Sequence, residues 1–122
     1  MNSKNILIAI IVILVLLGGA WYLSASSQNK DNERIILFYG DTCPHCEKVE
    51  EFVKANKVDD KVKFERLEVY NNQTNANLLG QMAKICKIPT EQGVGVPFLW
   101  NKGKCLVGDQ EIIGFFQGEL DK

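Results

Sequence analysis

The chain has 122 residues, 46% of them apolar and 24% charged, with 14 Lys and Arg against 15 Asp and Glu for a formal net charge of −1. With its two signs interspersed, this composition describes a mixed solvated surface and excludes the basic face that a nucleic-acid-binding domain needs. Setting aside the first 30 or so residues leaves about 90, room for one small domain and too few for two.

The N-terminus departs from that average. Ile6 to Leu23 reads ILIAIIVILVLLGGAWYL, 18 residues without a charge. As a helix it spans about 27 Å, close to the hydrocarbon thickness of a bilayer. Trp21 and Tyr22 stand at its far end, where amphipathic rings favour the interface. Only Lys4 and the amino terminus are positive ahead of it, which places the N-terminus in the cytoplasm and the rest of the chain outside. The flank SASSQNKDNER carries both signs and weakly opposes that orientation. A cleaved signal peptide is the alternative. The aliphatic stretch Ile6 to Leu17 suits a signal's apolar region, and small residues precede cleavage points after Ala20 and Ser26. Both readings export the domain into surroundings where cysteine pairs persist as disulfides. The expected organisation is a membrane anchor or signal over 1–23, a polar linker over 24–33 rich in Ser, Asn and Gln, and one domain over 34–122.

Within that domain, RIILFYG (Arg34 to Gly40) is an apolar run of strand length and predicts a buried strand. Cys46, Val49, Phe52 and Val53 recur at helical spacing, with Glu47, Glu50, Glu51 and Lys54 between them, so an amphipathic helix is predicted from Cys46 to Asn56, with Pro44 in its first turn. KVKFERLEVY (Lys61 to Tyr70) alternates and predicts a strand, with a break near Glu65 and Arg66. A helix follows over Thr74 to Lys87, with Leu78, Leu79, Met82, Ile85 and Cys86 on its apolar face. Phe98 to Trp100 and Cys105 to Val107 flank NKGK, a hairpin turn signal. Asp109 has the character of an N-cap for a last helix carrying Ile112, Ile113, Phe115 and Phe116. The order is β-α-β-α-β-β-α: a parallel βαβ unit, then an antiparallel hairpin and a closing helix.

Cys43 and Cys46, separated by Pro44 and His45, fall where the first strand ends and the first helix of the domain begins. Two thiols at this spacing suit a redox couple, a metal site or a structural bridge. A helix N-terminus presents unpaired N–H groups and partial positive charge, so a thiolate at Cys43 is stabilised there. Cys46, one turn on, is placed to attack a mixed disulfide formed at Cys43, which makes Cys43 the nucleophile and Cys46 the resolving thiol. A polarisable or cationic His45 ring beside the sulfurs further favours the thiolate, and stabilising the reduced form makes the disulfide a stronger oxidant. Zinc fits poorly: 39 residues separate Cys46 from Cys86 and 18 more separate Cys86 from Cys105, where structural zinc sites show two close pairs. His45 is the chain's single histidine, and no metal ligand set is assigned.

The element order, the CxxC at a strand-to-helix turn and the GVP before the hairpin together resemble the thioredoxin-fold superfamily, over Arg34 to about Leu120. The Cys43-Pro44-His45-Cys46 motif resembles the DsbA-type exported disulfide oxidases, and the short core without inserted elements is more similar to glutaredoxins. The resemblance implies an α/β domain with a four-stranded mixed sheet flanked by helices. It also implies a cis bond before Pro97 and a Val96 backbone that pairs with substrate beside the disulfide. Two positions depart from the pattern. Leu37, six residues before Cys43, stands where relatives often carry a buried acid that serves the resolving cysteine, and Asp41 and Glu47, though near the motif, are expected at the surface. VGDQ (Val107 to Gln110) matches the glutaredoxin Gly-Asp turn with one Gly missing, leaving glutathione a candidate co-substrate.

Cys86 and Cys105 can approach one another around the hairpin of such a fold. A structural disulfide, two separate buried thiols and a second redox relay all remain open for them. The function this implies is that of an exported, membrane-tethered, monomeric thiol–disulfide oxidoreductase, oxidase or isomerase in direction, without a bound cofactor. Cysteine-containing proteins would be its substrates, and a membrane redox partner would recycle it. The alternatives are a reductase of the thioredoxin or glutaredoxin type, a Cu(I) metallochaperone using Cys43 and Cys46, and a redox-inactive peptide-binding adaptor.

Overall fold

The computed structural model describes residues 2–122, and the side chains of all of these except 23–29. The chain divides into two units, one ending at Asn32 and one running from Glu33 to Lys122.

The first unit is a single helix, α1 (Ser3–Asp31). Over Ser3–Tyr22 it is long and apolar enough to cross a membrane, a test of length and composition that a signal sequence also passes. Its large aliphatic side chains from Ile6 to Leu17 are exposed. The segment 24–33, expected as an irregular linker, is instead helical as far as Asp31. No Pro or Gly follows Gly19 before Asn32, so nothing in the chain interrupts the run of helical hydrogen bonds.

The second unit is built on β1 (Ile35–Tyr39), the strand carrying the apolar run. It is followed by α2 (Pro44–Ala55), a short 3-10 turn (Val58–Asp60), β2 (Glu65–Glu68), α3 (Gln73–Ile85), β3 (Phe98–Asn101), β4 (Lys104–Val107) and α4 (Asp109–Leu120). The four strands form one sheet in the order β2-β1-β3-β4. β1 runs parallel to β2, with Leu37 opposite Arg66, and antiparallel to β3, with Leu37 opposite Leu99. β3 and β4 pair antiparallel around Lys102 and Gly103, whose φ values of 50° and 90° suit the right-handed strand twist of a two-residue hairpin.

Because successive strand residues face opposite sides, β1 and β3 feed two cores. Leu37 and Leu99 pack with Val49 and Val53 of α2, Val58, Val62, and Ile112 and Phe116 of α4. Ile36, Phe38, Phe98 and Trp100 pack on the other face with Leu79, Met82 and Ala83 of α3. The continuous apolar reading of Ile35 to Tyr39 thus reflects a strand covered on both faces. The second strand is shorter than its alternation predicts, four residues rather than ten. Val62 and Phe64 precede it as loop residues, drawn into the core beneath α2 and α4. α3 begins one residue earlier than predicted, capped by the Asn72 side chain, which accepts from the Asn75 N–H at 3.1 Å, and ends two residues sooner.

Cys86, at the C-cap of α3, is disulfide-bonded to Cys105 of β4, with a Cα–Cα distance of 6.2 Å. The bond closes a loop of about 20 residues, for which the chain-entropy model gives about 3 kcal/mol. Replacing both cysteines with Ser is expected to lower unfolding free energy by about that amount in denaturant titrations while leaving Cys43–Cys46 chemistry intact. Phe116 is fully buried, with its ring 4.9 Å from that of Phe64. Phe116→Ala is expected to cost about 3–5 kcal/mol in the same assay.

Candidate active site

The turn between β1 and α2 sets the position of the first cysteine. Cys43 is the N-cap of α2, extended at φ −91° and ψ 109°, and its Sγ accepts the Cys46 N–H at 3.2 Å. Pro44 occupies the first helical turn, where its missing N–H costs nothing and its fixed φ favours the helix. Cys43 and Cys46 are joined in a disulfide with a Cα–Cα distance of 5.2 Å. Both are buried, 6% and 8% exposed. Cys43 Sγ lies 3.8 Å from the Val96 carbonyl oxygen, and the Val96–Pro97 peptide bond is cis. The Pro97 carbonyl accepts the Gly108 N–H at 3.0 Å, which ties the segment before β3 to the start of α4.

Residues 40–42 hold the approach to Cys43. Thr42 has φ 61°, a left-handed conformation that costs a β-branched residue about 1–2 kcal/mol. Its Oγ1 donates to the Asp41 carbonyl at 2.6 Å. The turn is also clasped from the end of β2. The Glu68 carboxylate accepts the N–H groups of Tyr70 at 2.7 Å, Asn71 at 2.9 Å and Asp41 at 3.3 Å, and Asn71 Nδ2 donates to Asp41 Oδ2 at 3.2 Å. The Tyr70 ring lies directly against Gly40, where any Cβ would collide with it.

His45 is exposed on the first turn of α2, and its Nδ1 lies 3.1 Å from Asp109 Oδ2. Lys48 Nζ approaches the same oxygen at 3.5 Å. The hydrogen bond with His45 holds the Asp109 carboxyl below its ordinary value of 3.8 against desolvation, helped by the Gln110 N–H and the nearby positive charges. Asp109, expected as the N-cap, is the first residue of α4, and Gly108, with φ 94°, fills the cap position. The Asp109 side chain reaches across to α2 instead.

An open cavity of about 300 Å³ lies beside the disulfide, walled by Leu37, Gly40, Thr42, Cys46, Glu50, Arg66 and Pro97 among others. Asp41 and Glu47 also border it, and both are exposed. Leu37 is buried in the sheet and contributes an apolar wall. Arg66, which also lines the cavity, has a guanidinium that bonds Asp59 at 2.9 Å and Glu50 at 3.1 Å and sits 4.5 Å from the Phe64 ring centroid. The Cys86–Cys105 disulfide packs against the α3-facing core, whereas Leu37 and the cavity belong to the face covered by α2 and α4. Among the described residues, no group of three or more His, Cys, Asp or Glu is arranged to hold a metal ion.

The structure therefore brings Cys43, Pro44, His45, Cys46, Val96 and Pro97 to one place, and Cys86 and Cys105 to another. It adds Glu68 and Asn71, which the sequence did not mark as part of a site, and it gives Asp109, read there as a helix start and as part of the VGDQ turn, a contact with His45. Glu68 gave no signal, because its partners are backbone N–H groups brought together by the end of β2.

No protein-family model matches the chain, and no curated protein sequence matches it. Among solved structures it is similar to oxidized glutaredoxin 2 from Chlamydomonas reinhardtii, at 19% identity over 79% of this chain and 85% of that one, with a TM-score of 0.51. At that identity the similarity concerns the fold, and the fold is thioredoxin-like: a mixed four-stranded sheet with helices on both faces. What fold and site define together is a thioredoxin-like domain with a CxxC disulfide at a helix N-terminus.

The Glu68 clasp is sensitive to acid. Desolvation raises the Glu68 carboxyl, but the N–H groups of Asn71, Asp41 and Tyr70 outweigh it and hold the group below its ordinary value of 4.5. Its folded pKa is depressed, so its stabilisation is present above 4.5 and is lost as pH falls through the lower folded value. Glu68→Gln is expected to be less stable than the parent at pH 7. The gap should close progressively below pH 4.5 in denaturant titrations, and a gap constant with pH would contradict the clasp.

Proposed function

We propose that this protein is an exported, membrane-tethered thiol–disulfide oxidoreductase that acts on cysteines of other proteins, in the direction of disulfide formation or isomerisation. The observation that carries this reading is the Cys43–Cys46 disulfide capping α2, with Cys43 Sγ 3.8 Å from the backbone of Val96. In the forward step a substrate thiolate attacks Cys43 Sγ. The Cys43–Cys46 bond breaks, and Cys46 leaves with the electron pair and takes up a proton. A second substrate thiol then attacks its own sulfur in the mixed disulfide, the substrate departs oxidised, and Cys43 is released as a thiolate at the helix N-terminus. Pro44 and His45 tune the couple, and the Val96 backbone beside Pro97 docks the substrate segment.

The oxidising direction rests on that stabilised thiolate and on the absence of an acid at position 37. A reduced form favoured by the helix terminus yields its disulfide readily. The apolar helix α1 fits a tether with the N-terminus cytoplasmic and the domain outside, where a membrane redox partner would reoxidise Cys43 and Cys46. Glutathione is a candidate co-substrate, and the couple itself needs no bound cofactor.

The test is trapping in the full-length protein. Cys46→Ser is expected to accumulate mixed disulfides with substrate proteins through Cys43, and Cys43→Ser to bring turnover down to the uncatalysed background. Turnover that survives loss of Cys43 would sink the reading. An equilibrium constant with glutathione that places the couple near thioredoxin rather than DsbA would reverse the direction.

A further inference from the structure

The geometry points to Asp109 as a positioning residue that sets the redox poise of Cys43–Cys46 through His45, an inference that rests on the oxidoreductase reading above. Asp109 begins α4, far along the chain from the motif, yet its Oδ2 meets His45 Nδ1 at 3.1 Å and Lys48 Nζ at 3.5 Å. Its side chain is 17% exposed against 64% for His45, so the carboxylate is the fixed partner and the ring the one being held. Its other oxygen, Oδ1, accepts the Gln110 N–H at 3.0 Å, which locks the carboxylate orientation. The preceding residue, Gly108, donates to the Pro97 carbonyl at 3.0 Å. One dipeptide, Gly108-Asp109, thereby fastens both the strand entry beside Cys43 and the imidazole inside the CxxC motif.

The consequence is electrostatic. A carboxylate bonded to Nδ1 fixes that nitrogen as the proton carrier and stands as the ion-pair partner of the ring in its cationic form. A cationic ring in the first turn of α2 adds to the helix terminus in stabilising a Cys43 thiolate. Lys48, Glu47 and the thiols themselves are the other ionisable groups on α2 near the ring, and Asp109 is the one that α4 supplies. With glutathione, two thiols give two electrons and two protons. Glutathione disulfide forms, one proton ends on Cys46, the other goes to solvent, and Cys43 is left as thiolate. Whatever favours that thiolate pulls the equilibrium toward the reduced protein. Acting directly, the Asp109 charge would oppose a nearby thiolate, so its favourable effect has to pass through His45.

The experiment is a double-mutant cycle on the full-length protein in detergent, reading the equilibrium constant with glutathione at pH 7. Asp109→Asn keeps the shape and the bond to Gln110. At pH 7 it is expected to shift the constant about tenfold toward the protein disulfide, which is about 30 mV for a two-electron couple. In a His45→Ala background the same substitution should leave the constant unchanged or move it the other way. Asp109→Glu is expected to recover part of the parental value. No shift in the parental background, or an equal shift in both backgrounds, would overturn the assignment while leaving the oxidoreductase reading in place. A parental Cys43–Cys46 pair that does not exchange with glutathione or with protein thiols would remove both.

Discussion

The pairing of β1 with strands on both of its edges is the constraint on which the rest of the domain depends. It buries Ile36, Leu37 and Phe38 completely or nearly so and sends alternate side chains into two separate cores. α2 and α4 are fixed by one of those cores and α3 by the other. Once β1 is locked between β2 and β3, the end of the strand at Tyr39 is a fixed point in space, and the three residues after it decide where Cys43 stands. The position of the Cys43 sulfur is therefore a product of core packing carried through a short, tightly held turn.

That turn is expensive in local terms and is held from outside. Thr42 sits in a left-handed conformation, and Glu68 and Asn71 bind Asp41 from the end of β2, the strand paired in parallel with β1. Strain of this kind persists only where its surroundings over-determine it. On the other side, Gly108 and Asp109 bind Pro97 and His45. The site is assembled from four separate stretches of chain, each anchored on a regular element, which is how a scaffold keeps a few side chains in register.

How much of this could be read from the sequence follows from the range of the interactions. β1 announced itself because a strand buried on both faces has no polar alternation. α2 did so because its apolar stripe recurs at Cys46, Val49 and Val53 beside charged neighbours. The CxxC at the strand-to-helix turn is local, and so was its position. β2 was read as too long because Val62 and Phe64 are apolar for the core rather than for the sheet, and alternation cannot separate the two causes. The polar stretch after Leu23 was read as a linker because composition reports solvation, whereas its helix continues for want of a breaker. Contacts such as Asp109 to His45, 64 residues apart, leave no local trace. A positive φ at Thr42 is invisible for the opposite reason, since the residue type argues against it.

β2, one of the two outer strands of the sheet, has a consequence of its own. β2 reads Glu-Arg-Leu-Glu, and each of its three charged side chains already has a partner: Glu65 with Arg34 at 2.7 Å, Arg66 with Glu50 and Asp59, and Glu68 with the turn at Asp41. A foreign strand aligning along that edge would crowd and partly desolvate these charges to gain a few backbone hydrogen bonds, which disfavours sheet extension there. Charged side chains held in place along one edge of a small mixed sheet work against its becoming a template for aggregation there.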